Sequence, residues 1–335
     1  MTRSRTILVG IYSPFPAWNI PTTSVARLRG EFPHHRILHA RSDDEALELV
    51  GDAEIAFMAE LRPSHLEAAR HLEWIHSPAA GVGGMLFPAV VESPVVMTNS
   101  RGISADTIAE HVLAVTLAMF RKLPLVWQSQ AAREWAQSAV LADPPLRTIA
   151  GARALVVGLG SIGTATASRL AALGARVEAV RRRPNGSHPP YVERVVPPEA
   201  LIDALPAADV VVLAAPQTRN TRGVIGRREL AAMRRGSLLI NVSRGKLVDE
   251  RALAAALSAP PPTRTLGGAA RDVFEHEPLS PDSPLWSMPN VLITPHVAGF
   301  RPDHWDAVTA LFADNLRRFE SGQLLRNIVD KEAGY

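Results

Sequence analysis

The 335-residue sequence contains no cysteine, and its lysines are confined to Lys122, Lys246 and Lys331. The first absence excludes disulfides, thiolate catalysis and cysteine-ligated zinc or iron–sulfur sites. The second leaves positive charge to arginine, whose planar guanidinium forks onto carboxylates and phosphates. Neither sign of charge dominates: the formal net charge is +3, although the pI is about 9.7. No basic stripe interleaved with aromatics is present, so no nucleic-acid partner is expected. No apolar run approaches a membrane span, and 7–11 is too short for a signal-peptide core. No membrane partner is expected, and a soluble cytoplasmic protein is the default. No H-E-x-x-H or clustered ligand pattern occurs, which disfavours a metal-dependent hydrolase, and no metal is assigned. Internal repeats and a low-complexity tail are absent.

What is present is an ordinary globular composition, 47% apolar and 21% charged, in a chain long enough for two domains. Strand-like stretches at 7–11, 53–57 (or 56–59), 73–76 and 95–98 alternate with helix-like ones at 44–50 and 63–69. This alternation predicts a first α/β unit of roughly a hundred residues. Ser104 is placed to cap a helix running to Leu123, with Pro124 as its stop. From Val112 to Phe120 that helix is apolar almost all round, which predicts burial between domains or against a second subunit. Further strands are expected at 155–158, 177–180, 210–214, 238–242 and 291–294, with helices at 164–173, 198–205, 228–234 and 250–257. Such alternation gives a parallel sheet with right-handed crossovers. The proline-rich stretch 258–264 reads as a rigid surface loop, and 303–319 as a last amphipathic helix.

The run Ala154-Leu-Val-Val-Gly-Leu-Gly-Ser-Ile-Gly163 ends in a G-x-G-x-x-G turn between a strand and a helix. That is the phosphate-binding corner of a dinucleotide fold. Gly158 permits the tight turn, Gly160 admits close approach of a pyrophosphate, and Gly163 lets the helix pack on the sheet. The helix N-terminus then offers unpaired N–H groups to the phosphates. Where an acidic residue would hold the adenosine ribose diol, the chain has Arg181, followed by Arg182 and Arg183. Guanidinium groups favour a 2′-phosphate, so NADP(H) is expected in preference to NAD(H), which stays an alternative. A solvated basic loop is the plainer reading of the same run.

Over nearly its whole length the sequence resembles the D-isomer-specific 2-hydroxyacid dehydrogenase family. The resemblance is carried by Val157-Gly-Leu-Gly-Ser-Ile-Gly163, Ile240-Asn-Val-Ser-Arg-Gly-Lys-Leu-Val-Asp249, Asp272-Val-Phe-Glu-His-Glu-Pro-Leu279 and Asn290-Val-Leu-Ile-Thr-Pro-His296. Weaker support comes from Ala80-Gly81-Val82, Ala109-Glu110-His111 and Pro216-Gln-Thr-Arg-Asn-Thr221, and the ending 325–331 resembles a subgroup acting on assorted 2-oxo acids. The family implies two doubly wound parallel-sheet α/β domains, a Rossmann cofactor domain inserted into a flavodoxin-like substrate domain. The boundaries are then 1–103 with 297–335 for the substrate domain and 104–296 for the NADP-binding one. A cleft between them and a homodimer formed through the long apolar helix are further implications.

By the same resemblance, Arg244 binds the substrate, His296 is the acid/base, and Glu277 is its partner carboxylate. Ala80 and Gly81 bind the substrate carboxylate through backbone N–H groups. Cofactor contacts fall on Gly158, Gly160, Ser161, Ile162, Gly163, Arg181, Arg182, Pro216, Thr221, Val242, Ser243, Asp272, His296 and Gly299, with Asp272 at the nicotinamide carboxamide. Glu275 and His276 are read as solvent-exposed, and His111 as packing or bonding locally. Met58 is read either as lining the pocket or as core. Arg271 stands where the family is usually apolar, and Gly83 and Gly84 where it often has bulkier residues. The expected activity is NADPH-dependent reduction of 2-oxo acids to D-2-hydroxy acids. A dedicated glyoxylate/hydroxypyruvate reductase is one alternative. A nucleotide-sensing binding protein of the corepressor kind is another.

Overall fold

A computed structural model describes residues 3–184, 186–259 and 265–335. The chain forms two compact units, Met1–Ile103 with Arg301–Tyr335, and Ser104–Phe300. The loop expected at 258–264 lies mostly outside the described residues.

The first unit has five parallel strands, β1 (Thr6–Gly10), β2 (Arg36–Ala40), β3 (Ile55–Met58), β4 (Trp74–Ser77) and β5 (Val96–Asn99), in the order β2-β1-β3-β4-β5. This is the flavodoxin-like order. Alternation along β1 sends Ile7 and Val9 to one face, with Phe57, Trp74 and Phe312, and Leu8 to the other, with Met58, Ile75 and Met97. Both faces are covered, as a parallel sheet requires. Phe312 of helix His304–Glu320 stacks on Phe57 with ring centroids 4.4 Å apart.

The second unit has seven parallel strands: β6 (Arg153–Val157), β7 (Arg176–Val180), β8 (Val192–Val196), β9 (Val210–Leu213), β10 (Ser237–Asn241), β11 (Leu266–Arg271) and β12 (Val291–Ile293). Their order is β12-β11-β10-β9-β6-β7-β8. Winding runs outward from β6 through β7 to β8, then returns to β9 on the other side of β6. The carboxyl ends of β6 and β9 therefore flank the switch point at which open α/β sheets bind ligands. Among the described residues no helix is long and apolar enough to cross a membrane.

Three strands, β2, β8 and β11, leave no strand pattern in the sequence, each for a physical reason. β2 and β8 are edge strands whose apolar pattern is broken by Arg36 and His39, and by Glu193 and Arg194. β11 begins Leu266-Gly-Gly-Ala-Ala, a run of low β-propensity. Its glycines are steric: a Cβ on Gly267 would lie 2.5 Å from the Gly236 carbonyl oxygen, and one on Gly268 would lie 2.6 Å from that of Asn290. The long helix is also shorter than expected. It spans Ala105–Phe120, Ser104 makes no side-chain cap bond, and Pro124 opens the next helix, Leu123–Ala132. Between two prolines, 198 and 206, the expected helix shrinks to Leu201–Ala204 with 3-10 turns on either side.

Candidate active site

The glycine corner follows from sterics. Gly158 has φ +101°, and a Cβ there would lie 2.6 Å from Ala215 Cα, where the ends of β6 and β9 meet. A Cβ on Gly163 would lie 1.8 Å from the Gly158 carbonyl oxygen, so helix Ser161–Ala172 reaches the sheet only with glycine there. At Gly160 an added Cβ meets nothing within 4 Å. Two glycines are thus required by packing, while the third faces open space at a helix N-terminus led by Ser161 and Ile162. Those residues fit a pyrophosphate. Thr221 Oγ1 donates to the Pro216 carbonyl at 2.6 Å and closes the turn beyond β9. A Cβ added at Gly299 would lie 3.5 Å from Ser104 Cβ.

Arg181 differs from expectation. Its guanidinium turns onto its own loop, with Nε donating to the Arg183 carbonyl at 2.8 Å and Nη2 to that of Gly186 at 3.1 Å. Nη1 reaches the Ser187 carbonyl at 3.4 Å. Arg181 therefore shapes the basic loop that carries the exposed Arg182 and Arg183.

Arg244 sits just past β10, in a turn organised by a buried amide. Asn241 Oδ1 accepts from the Ser243 N–H at 3.1 Å and its hydroxyl at 3.0 Å, and Asn241 Nδ2 donates to the Arg244 carbonyl at 2.9 Å. Val242 is buried beside this turn. Burial pushes the Arg244 guanidinium pKa down, against the opposing pull of nearby Glu277.

His296 Nδ1 lies 2.6 Å from Glu277 Oε2, and Glu277 Oε1 accepts the Phe274 N–H at 2.9 Å. Burial alone would raise the Glu277 pKa. The bonds from His296 and Phe274, with the charges of His296 and Arg244, outweigh it and hold the carboxyl below its ordinary range. The structure thus brings Arg244, Glu277 and His296 together. His296 has φ +55°, a left-handed conformation unusual for a residue with a Cβ.

Buried Asp272 has a fuller set of partners than the sequence suggests. Its Oδ1 accepts from Thr294 Oγ1 at 2.6 Å and Val297 N–H at 2.9 Å, and its Oδ2 from Ala298 N–H at 3.0 Å. Thr294 Oγ1 is also 3.2 Å from His111 Nε2, so His111 does bond locally. Burial lowers the His111 pKa, opposed by the Asp272 charge. Glu275 is a correction. It is half-buried, and its Oε1 accepts the Glu250 N–H at 3.1 Å. His276 is exposed.

Ala80 and Gly81 lie in the first unit, both exposed. Asn99 Nδ2 donates to the Ala80 carbonyl at 2.7 Å and ties their loop to the end of β5. Met58 is fully buried and packs against Gly10 in the core.

Residues 113–298 match the model for the NAD binding domain of D-isomer specific 2-hydroxyacid dehydrogenase, more than half of the chain. The chain belongs to the D-isomer specific 2-hydroxyacid dehydrogenase family. It is 30% identical to the glycerate dehydrogenase of Methylorubrum extorquens over 86% of this chain and 88% of that one. It is 31% identical to the D-3-phosphoglycerate dehydrogenase of Archaeoglobus fulgidus over 79% of this chain, a match that spans only 48% of that longer protein. The solved NADPH-dependent glyoxylate/hydroxypyruvate reductase of Sinorhizobium meliloti, in complex with NADP and sulfate, is similar at TM-score 0.83 and 27% identity. That likeness covers 99% of this chain and 100% of the other. The family is one of NAD(P)-dependent dehydrogenases with two parallel-sheet α/β domains, the architecture described above.

Several residues of the site escaped sequence reading: Asn241, Thr294, Glu250 and the Phe274 amide. Asn241 left one usable signal, a polar residue closing the apolar strand Leu238-Leu-Ile. Thr294 acts through its hydroxyl, and Glu250 and Phe274 through backbone N–H groups that no residue type advertises.

Proposed function

We propose that this protein reduces 2-oxo acids to D-2-hydroxy acids with NADPH. The observation that carries the reading is the His296–Glu277 bond beside Arg244 at the carboxyl ends of a dinucleotide-type sheet. NADPH, when bound, supplies hydride to the carbonyl carbon. Arg244 holds the carboxylate and draws electron density onto the carbonyl oxygen as negative charge grows there. His296 delivers a proton from Nε2 to that oxygen, so the ketone gains one hydride and one proton. Glu277 stabilises the imidazolium before transfer and orients the ring through Nδ1. In the reverse direction His296 takes the proton as base.

NADPH is the preferred cofactor in this reading, because Arg182 stands at the end of β7 on a loop braced by Arg181. The NADP-bound relative from Sinorhizobium meliloti supports it. That relative's name also makes glyoxylate and hydroxypyruvate the first substrates to try. We further propose a homodimer through helix Ala105–Phe120 and the segment after it. Large apolar side chains are exposed there, with Leu117 at 42%, Trp127 at 54% and Trp135 at 91%. A spectrophotometric screen of 2-oxo acids of increasing size against NADPH and NADH, with chiral analysis of the product, tests the assignment. Formation of the L-product, or no oxidation of either cofactor, contradicts it.

A further inference from the structure

Arg271, the last residue of β11, is 1% exposed. Its Nε and Nη2 donate to the Val273 carbonyl at 3.2 and 2.9 Å, and Nη2 also donates to Glu250 Oε1 at 3.0 Å. The same Glu250 oxygen accepts the Glu275 N–H at 2.8 Å, and the guanidinium lies 5.3 Å from the centroid of the Phe274 ring. The backbone of 273–275 is thus gripped at one carbonyl and one amide by an ion pair whose guanidinium is buried. Packing alone does not account for a guanidinium in this place, since an apolar side chain would fill the space without the desolvation cost.

Two parts of the proposed chemistry rest on that gripped segment. The Phe274 N–H donates to Glu277 Oε1, which leaves Oε2 on His296 Nδ1. Gly245, which follows Arg244, lies so close that an added Cβ would sit 1.8 Å from the Phe274 carbonyl carbon. We infer that Arg271, paired with Glu250, is a positioning residue. It fixes the 273–275 backbone from which Glu277 is held and against which the Arg244 turn packs. This inference rests on the reading of Arg244, Glu277 and His296 given above.

The test compares Arg271→Leu combined with Glu250→Gln, which leaves neither charge buried alone, and Arg271→Lys, which keeps the charge but loses the fork. Melting temperature, NADPH binding, kcat and KM for a 2-oxo acid are measured. So is the low-field proton signal of His296 Nδ1–H in 15N-histidine-labelled protein, assigned by its loss in His296→Ala. The double variant should bind NADPH as the unmodified protein does, lose about 10- to 100-fold in kcat, and show the proton signal shifted upfield or broadened. Arg271→Lys should fall between the two. A lowered melting temperature with unchanged kcat and proton signal would mean that Arg271 only stabilises the fold, and would overturn the inference. If the double variant does not fold, Arg271→Lys decides by the same readouts, and an unmoved signal with full kcat overturns it. If the unmodified protein reduces no 2-oxo acid, the functional reading fails. The proton signal in the variants still decides whether Arg271 positions the pair.

Discussion

Asp272 holds His296 in a left-handed backbone conformation. The His296 N–H donates to the Asp272 carbonyl at 2.9 Å, and the next two amides, Val297 and Ala298, donate to its carboxylate. A φ of +55° in a residue with a Cβ costs on the order of 1 kcal/mol. One buried carboxylate offsets that cost by satisfying two amides and the Thr294 hydroxyl.

Replacing Asp272 by Ala should therefore lower stability by about 3 kcal/mol, because buried donors are left unpaired. Asp272→Asn should cost less, and both should lose kcat through relaxation of the His296 turn. Denaturant unfolding and steady-state kinetics check this. Full kcat in a destabilised Asp272→Ala would show that the turn does not depend on the carboxylate.

In the proposed reaction, Glu277 sets the acid side of the pH dependence. Its pKa is held below the ordinary value of 4.5, so its contribution is fully present above that value and disappears as pH falls through the lowered one. Reduction should persist to a pH below the usual carboxylate range for as long as the fold survives. Glu277→Gln removes the charged partner of His296 Nδ1, so kcat for reduction should fall. An unchanged kcat in Glu277→Gln would refute the electrostatic role.

The glycines of the corner should separate by function. Gly163→Ala puts a Cβ 1.8 Å from a carbonyl oxygen and should destabilise strongly. Gly160→Ala meets nothing within 4 Å, so its melting temperature should stay near that of the unmodified protein while KM for the dinucleotide rises. Equal melting temperatures for the two variants would contradict this division.

Cofactor choice should follow the basic loop. Arg182→Ala should raise KM for NADPH with little change for NADH, because the adenosine end is remote from the hydride. Added salt should weaken NADPH use more than NADH use. Arg181→Asp should reverse or collapse the preference, partly by releasing the loop carbonyls that Arg181 holds. Equal use of NADH and NADPH by the unmodified protein would end this reading.

The sequence made the second unit's core legible, because apolar runs such as Val210-Val-Val-Leu and a glycine turn at Gly158–Gly163 carry their own physical signal. β2, β8 and β11 were not legible, since edge position and small residues erase the β pattern. Within the site, Arg244, Glu277 and His296 stood out by motif. The working of Asp272 did not, because a carboxylate that binds three donors of a later turn looks in sequence like any other. Glu275 looks solvent-exposed in sequence for a related reason: its partner, the Glu250 N–H, is a backbone group 25 residues away in sequence. In sequence Arg181 shows only its charge, whereas its direction is set by carbonyls of its own loop.

The central claim is that His296, paired with Glu277, transfers the proton in 2-oxo acid reduction. Turnover and NADPH binding measured together in the unmodified protein and in His296→Ala test it most directly. NADPH should bind both proteins alike, as followed by its fluorescence, while kcat in the variant falls by about 10²- to 10⁴-fold. A His296→Ala protein that binds NADPH and turns over at the unmodified rate near neutral pH would contradict the claim.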